Sequence, residues 1–375
     1  MALNTVSSDR LATNVKNTNF TAAEKQDLTN DIKPLLGSSG GGNKNLIING
    51  AMQVAQRGTS STASGYKTVD RFNVEHSGTD EAPTQAQVDV ASGTTPYTLG
   101  FRKALKITNG NQTGGAGASD YIQIMQRVEA QNMATSGWNY TSSSSFITLS
   151  FYVKSSVAQV FSGSLRTADG TAYQYKFDTP SISADTWTKV TKIIPGNSNL
   201  QFNNDNGHGL DVLIYPWIGT TYTTANSDTE TWIVGASNTY ANNMTSTWYT
   251  TNDATFEITG VQLEVSSVAT EFEHEPFDQV LRKCYRYYQP YISYAEYVAG
   301  GTGNLGMPYV SFITPMRASP TITSDHESKS SNWSFNSMQF QGNANTGYYA
   351  YAISFNTSDS NYGYMRKYGY AASEL

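Results

Sequence analysis

Phe146-Ile147-Thr148-Leu149-Ser150-Phe151-Tyr152-Val153 is the most regular stretch of the chain. Ile147, Leu149, Phe151 and Val153 form an apolar row, and Phe146, Thr148, Ser150 and Tyr152 form a polar or aromatic one. Successive side chains of a strand point to opposite faces, so the octet reads as a β-strand with one face in a core. Comparable short segments lie on both sides of it. They are Leu46–Ile48, Arg71–Glu75, Ala104–Thr108, Tyr121–Arg127, Val160–Arg166, Thr186–Ile194, Leu210–Ile218, Trp232–Ala236 and Ala254–Val265, separated by Gly, Asn, Ser and Pro clusters. In the last, Phe256, Ile258, Val261, Leu263 and Val265 read as a buried strand whose alternation is reset at Gly260. About ten strands with no helices between them pack most simply as two antiparallel sheets, so residues 44–280 are predicted to form a jelly-roll β-sandwich.

The flanking segments differ. In residues 1–43, Leu3, Val6, Leu11 and Val15 recur at helical spacing, and Thr21-Ala22-Ala23-Glu24 is a capping box for a helix carrying Leu28, Ile32 and Leu36. These apolar positions are too sparse for a self-sufficient bundle, so residues 1–36 read as a segment that docks on a partner or on copies of itself. Gly37-Ser38-Ser39-Gly40-Gly41-Gly42 follows as a flexible linker. Residues 281–375 read as a small C-terminal β domain, entered through the amphipathic stretch Val280–Tyr291. Of the chain's 25 tyrosines, 14 lie between Tyr285 and Tyr370. Tyrosine gives large amphipathic contact area at low entropic cost, which suits subunit interfaces and stacking on sugar rings.

Composition excludes several classes. Charged residues make up 14% of the 375, against about 25% in an average soluble domain, and the net charge is −6. No basic patch suited to nucleic acid is present. No apolar run approaches the roughly 18 residues of a membrane helix. The opening residues 1–10 lack a secretory layout, so the expectation is a soluble protein made in a cytoplasm. One cysteine, Cys284, leaves no intrachain disulfide to expect. Lys283, Arg282 and Arg286 around it would activate a thiolate, but no His or Asn/Asp partner lies nearby, and a packed apolar thiol is the better reading.

Chemistry-bearing patterns are few. His76, His208, His274 and His326 are far apart, and phosphate-loop, dinucleotide and nucleophile-elbow motifs are absent. No cofactor or metal is expected. Asn203-Asn204-Asp205-Asn206-Gly207 has oxygen-rich loop chemistry but reads better as an Asx-rich turn than as a Ca²⁺ site. Glu257, Glu264, Glu271, Glu273 and Glu275 read as a solvated or salt-bridged edge rather than a catalytic dyad. The segment Trp333 to Tyr351 interleaves aromatic residues with Asn332, Asn336, Asn343 and Asn345. Trp333 and Tyr348 are its candidate ligand contacts, while Tyr349 and Tyr351 share the other face of a strand as candidate subunit core.

Four passages resemble a known group. Asn45-Leu46-Ile47-Ile48-Asn49-Gly50-Ala51-Met52-Gln53-Val54-Ala55-Gln56-Arg57-Gly58 followed by Asp70-Arg71-Phe72 is similar to the opening of tail-fibre and structural virion proteins of tailed bacteriophages. Leu149–Lys154 fits their central strand. Gly260–Val265, continuing through Ala269–Glu273 to Cys284–Tyr288, is the most specific passage, and Pro315–Ile322 is similar to the strand opening their C-terminal module. Glu271 stands where that group often has Pro, and Ser266-Ser267 where Gly-Ser is common. The motif residues read as structural: Leu263 and Phe272 as core, Arg57, Asp70 and Arg71 as internal polar or ion-pair contacts.

The resemblance implies a carbohydrate-binding-like jelly roll in a homotrimeric virion protein, and a binding rather than an enzymatic role is expected. Residues 1–36 would join a tail or baseplate protein, and distal parts would touch a bacterial surface polysaccharide. The rivals are a structural decoration or collar protein without a receptor, and a depolymerase using acids near Glu264 or Asp211. The latter is disfavoured because no long β-helical repeat is present.

Overall fold

The alternating octet lies within the strand Phe146–Ser155, and Ile147, Leu149, Phe151 and Val153 are all fully buried. The computed structural model describes residues 44–224, 228–298, 309–329, 334–345, 347–356 and 362–375. The helical segment and linker expected before residue 44, the run Gly300–Gly303 and Trp333 lie outside the described residues.

In chain order the sandwich strands are β1 (Ser60–Ser61), β2 (Asn73–Ser77), β3 (Thr84–Asp89), β4 (Lys103–Thr108), β5 (Tyr121–Glu129), β6 (Phe146–Ser155), β7 (Ser162–Thr167), β8 (Tyr173–Asp178), β9 (Thr188–Pro195), β10 (His208–Ile218), β11 (Thr223–Thr224), β12 (Trp232–Val234), β13 (Ala241–Asn242) and β14 (Thr255–Glu264). They make two six-stranded sheets, ordered β1-β3-β4-β14-β6-β9 and β12-β8-β7-β10-β5-β2, and a small β11-β13 pair. All neighbours in the two large sheets run antiparallel. Between the sheets lies one continuous core. Leu105, Ile107, Leu149, Phe151, Phe256 and Ile258 enter it from the first sheet, and Ile122, Ile124, Leu165, Phe177 and Val212 from the second. The chain is a mainly β, jelly-roll-type sandwich.

Gly260 does what its place in the sequence requires. The register of β14 against β6 shifts between Thr259 and Gln262, and Gly260 takes a φ of +64°. That shift lets Phe256 and Ile258 before it, and Val261 and Leu263 after it, share the core face. A Cβ on Gly260 would lie 2.7 Å from Phe101 Cζ.

Several details depart from the sequence expectation, among them the short helices Thr95–Thr98, Ala130–Ala134 and Thr247–Thr250 between sandwich strands. Leu46–Ile48 is an irregular loop, not a strand, because Asn45 and Asn49 bind the backbone there. The Asn45 Oδ1 accepts from the amides of Ile47 and Leu263, both at 3.0 Å. The Asn49 side chain bridges Val54 and Asp70. Val265 lies beyond the end of β14 and is 38% exposed. The segments Thr84–Asp89 and Tyr173–Asp178 are strands that were not among those anticipated.

After the sandwich comes the helix Phe277–Tyr285, which buries Val280 and Cys284. Two three-stranded sheets follow, made from β15 (Tyr288–Val298), β16 (Tyr309–Ser311), β17 (Thr321–Lys329), β18 (Ser334–Ala344), β19 (Gly347–Asn356) and β20 (Tyr362–Ala372), ordered β15-β20-β17 and β16-β19-β18. Their junction with the sandwich is built from the motif arginines. Arg57 Nη2 donates to Glu374 Oε1 at 2.9 Å, and the buried Arg71 also pairs with Glu374. The Arg57 and Arg71 guanidiniums each lie 3.5 Å from a ring centre, over Tyr288 and Tyr287 respectively. Asp70 accepts from the amide of Gln56 at 2.9 Å and lies 3.9 Å from Arg57. Arg57, Asp70 and Arg71 therefore make internal contacts, as read from the sequence.

Candidate functional site

The second sheet has one face in the core and one turned away from it. Along β5, Ile122, Ile124 and Val128 join the core, and the alternate residues Tyr121, Gln123, Met125 and Arg127 face outward. Neighbouring strands continue these outward rows in register. Arg166 on β7 pairs with Asp211 on β10, which pairs with Arg127 on β5. In the next row Leu213 pairs with Met125, which pairs with Asn73 on β2, and beyond it Gln123 pairs with Glu75.

A covering loop closes one side of this outward face. After β10 the chain turns through Thr220–Tyr222 and returns at Tyr240 and Ala241. Tyr222 and Tyr240 pack with Tyr121 over buried Met125, Leu213, Tyr215 and Ile218. Tyr121 and Tyr222 meet edge to face with centres 5.6 Å apart, Tyr222 and Tyr240 at 6.5 Å, and the Arg166 guanidinium lies 5.6 Å from the Tyr240 ring centre. The result is an open cleft of about 420 Å³ with a tyrosine wall, a floor of Met125 and Leu213, and amide and charged groups around it.

Polar groups in the cleft are held in defined roles. Asp211 accepts from His208 Nε2 at 2.5 Å and from Arg127 Nε at 3.3 Å, so its charge is met twice. Arg127 also donates from Nη1 to the Leu375 oxygen at 2.6 Å, which fixes its side chain at one end of the cleft. Burial pushes the Tyr121 phenol above its ordinary range, with the Glu75 carboxylate adding to the effect, so the ring keeps its proton and remains a donor. A semi-open cavity with an apolar floor, several aromatic rings and a few oriented polar groups is the usual form of a small-ligand site, for which roughly 300–1,000 Å³ is typical.

Of the residues singled out in the sequence, Tyr348 is placed on β19 opposite Val310, and Trp333 lies outside the described residues. The glutamates near the end of the sandwich are taken up structurally. Glu257 pairs with Lys154 at 3.0 Å, Glu264 accepts from the Thr270 amide at 2.9 Å, Glu273 accepts from the Asn45 amide at 2.8 Å, and Glu275 pairs with Lys283. Asp205 Oδ1 accepts from the Gly207 amide at 2.8 Å, an Asx turn. Cys284 is buried, and burial pushes its thiol well above the ordinary range, so it is a packed apolar group. The tyrosine wall was not anticipated. Its signal was present in the strand Tyr121–Arg127, whose outward row is aromatic and polar, but Tyr222 and Tyr240 reach the cleft only through a loop without periodicity.

No protein-family model and no curated protein matches the chain. Several solved structures are similar to it. The enzymatically active domain of tailspike protein 4 from bacteriophage CBA120 has 12% identity and a TM-score of 0.33, covering 60% of this chain and 22% of that one. The chain thus spans about a fifth of the length of that tailspike domain. A sugar-binding protein from Bacteroides thetaiotaomicron, itself described as putative, has 12% identity and a TM-score of 0.31, covering 59% of this chain and 100% of that one. A family 11 carbohydrate-binding module from Clostridium thermocellum, solved with a mixed-linked tetrasaccharide, has 12% identity and a TM-score of 0.25, covering 58% of this chain and 98% of that one.

Proposed function

We propose that this chain is a tail-fibre or receptor-binding protein of a bacteriophage particle that recognises a host surface glycan in the cleft on the outer face of the second sheet. The observation that carries the glycan reading is the wall of Tyr121, Tyr222 and Tyr240 beside Asn73, Gln123 and Glu75. Sugar rings have apolar faces that stack on aromatic rings and hydroxyls that need amide or carboxylate partners, and this cleft offers both within one cavity. The virion role rests on the four sequence passages. In that role residues 1–36 join a tail or baseplate protein, and the chain assembles as a homotrimer. Ile292 and Ile313, 61% and 58% exposed, would be covered by a second copy.

The chain binds without cleaving in this reading. Of the two carboxylates lining the cleft, Asp211 and Glu75, Asp211 is already held by His208 and Arg127.

Full-length protein titrated with host envelope polysaccharide tests this. Binding without shortening of the polymer is expected, with Tyr121→Ala and Tyr240→Ala each weakening it about fivefold, the equivalent of about 1 kcal/mol per aromatic contact. Shortening would make the chain a depolymerase, and no binding a decoration or collar component. Loss on Trp333→Ala or Tyr348→Ala alone would move the site to the C-terminal sheets. A stable monomer in light scattering would refute the trimer.

A further inference from the structure

Among the described residues, Arg166 is a cation of the cleft that no carboxylate pairs with. We infer that the cleft is selective for an acidic glycan, with the carboxylate of a uronic or sialic acid residue seated against the Arg166 guanidinium. This rests on the glycan reading above and specifies its substrate class.

Within its cross-strand row, Arg166 stands next to Asp211, and that adjacency alone would suggest an ion pair. The pair is not made. Asp211, 3% exposed, turns its carboxylate to His208 on its own strand and to Arg127 on the opposite neighbour. Among the described residues no carboxylate lies within 4.0 Å of Arg166, whose guanidinium instead rests by the Tyr240 ring. Glu75, the other carboxylate lining the cleft, is on β2, three strands away in the sheet order, about 14 Å across at ordinary strand spacing.

The half-buried Arg166, at the edge of a tyrosine-walled cavity, presents a planar fork of donors and no acceptor. A neutral sugar hydroxyl can take one of those donors. A carboxylate takes two in parallel, and such charge-assisted pairs are roughly twice as strong as neutral ones. The chain's net charge of −6 opposes an anionic polymer only weakly, because charges more than about 8–10 Å away are screened at physiological salt. The local cation therefore dominates at the ring it touches.

The test uses full-length protein and hexasaccharides cut from glucuronate-, galacturonate- and sialate-containing polymers, each beside its carboxyl-reduced, neutral counterpart. Neutral gluco- and manno-hexasaccharides complete the panel. At least one acidic series should bind tenfold or more tighter than its reduced form. Arg166→Gln should erase that difference and Arg166→Lys should keep part of it, with the thermal midpoint of both variants unchanged. Equal binding of the acidic and reduced forms, or a difference that survives Arg166→Gln, overturns the inference and leaves the glycan reading standing. Failure of every hexasaccharide to bind overturns both.

Discussion

Arg286 donates to both carboxylate oxygens of Glu129, from Nε at 2.6 Å and from Nη2 at 2.7 Å, across 157 residues of sequence. Glu129 ends β5 in the sheet that carries the cleft, and Arg286 follows the helix that leads into the C-terminal sheets. Tyr287 also donates its hydroxyl to Glu129, at 2.5 Å. One fully buried carboxylate therefore ties the strand that supplies Tyr121 and Arg127 to the start of the following sheets.

Removing Arg286 should cost more than the junction is worth, because the fully buried Glu129 carboxylate is left without its cation. Arg286→Ala should lower the unfolding free energy by about 3–5 kcal/mol. Glu129→Ala should cost less, since the Arg286 side chain it leaves is 29% exposed and can be met by water. Urea midpoints of the two variants check the order; equal losses would contradict it.

The same carboxylate predicts an acid dependence. Burial alone would raise the Glu129 pKa, but the hydrogen bonds from Arg286 and Tyr287 outweigh it and hold the group below its ordinary value. Its stabilisation is present above the unfolded value near 4.3 and is lost as pH falls through the lower folded one. Asp70 runs the other way, because burial raises it and its contribution falls as pH rises through its folded value. Comparing Glu129→Gln with the parent cancels Asp70. The stability gap between them should narrow between about pH 5 and pH 3 in urea titrations, and a constant gap would show that Glu129 is not the titrating group.

Gly260→Ala should destabilise strongly for its size. The φ of +64° strains any side chain by about 1–3 kcal/mol, and its Cβ would also press on Phe101 at 2.7 Å. An Ala variant with an unchanged urea midpoint would mean that the bulge can be absorbed elsewhere in β14.

Cys284 should be silent to thiol reagents in the folded protein. It is 1% exposed, and burial disfavours the thiolate, which is the nucleophile. Aromatic disulfide reagents should label it only in urea; rapid labelling of folded protein would mean that the helix Phe277–Tyr285 opens readily.

The sequence by itself determined the class of fold and the place of its irregularity. Period-two alternation in Phe146–Val153 requires one buried face, and a single Gly in Ala254–Val265 requires a reset of parity; both are local consequences of strand geometry. It also marked Arg57, Asp70 and Arg71 as internal, although not their partners, because Glu374 lies 303 residues beyond Arg71. The cleft was decided only by tertiary structure. Tyr121, Tyr222, Tyr240 and Arg166 come from two strands and a covering loop, and nothing in their spacing brings them together. Sheet order and register set them side by side: β10 lies between β7 and β5, so that Arg166, Asp211 and Arg127 form a row. Local pattern fixes which face of a strand is buried, whereas the neighbour that an outward residue meets depends on pairings across many tens of residues, which no short-range periodicity encodes.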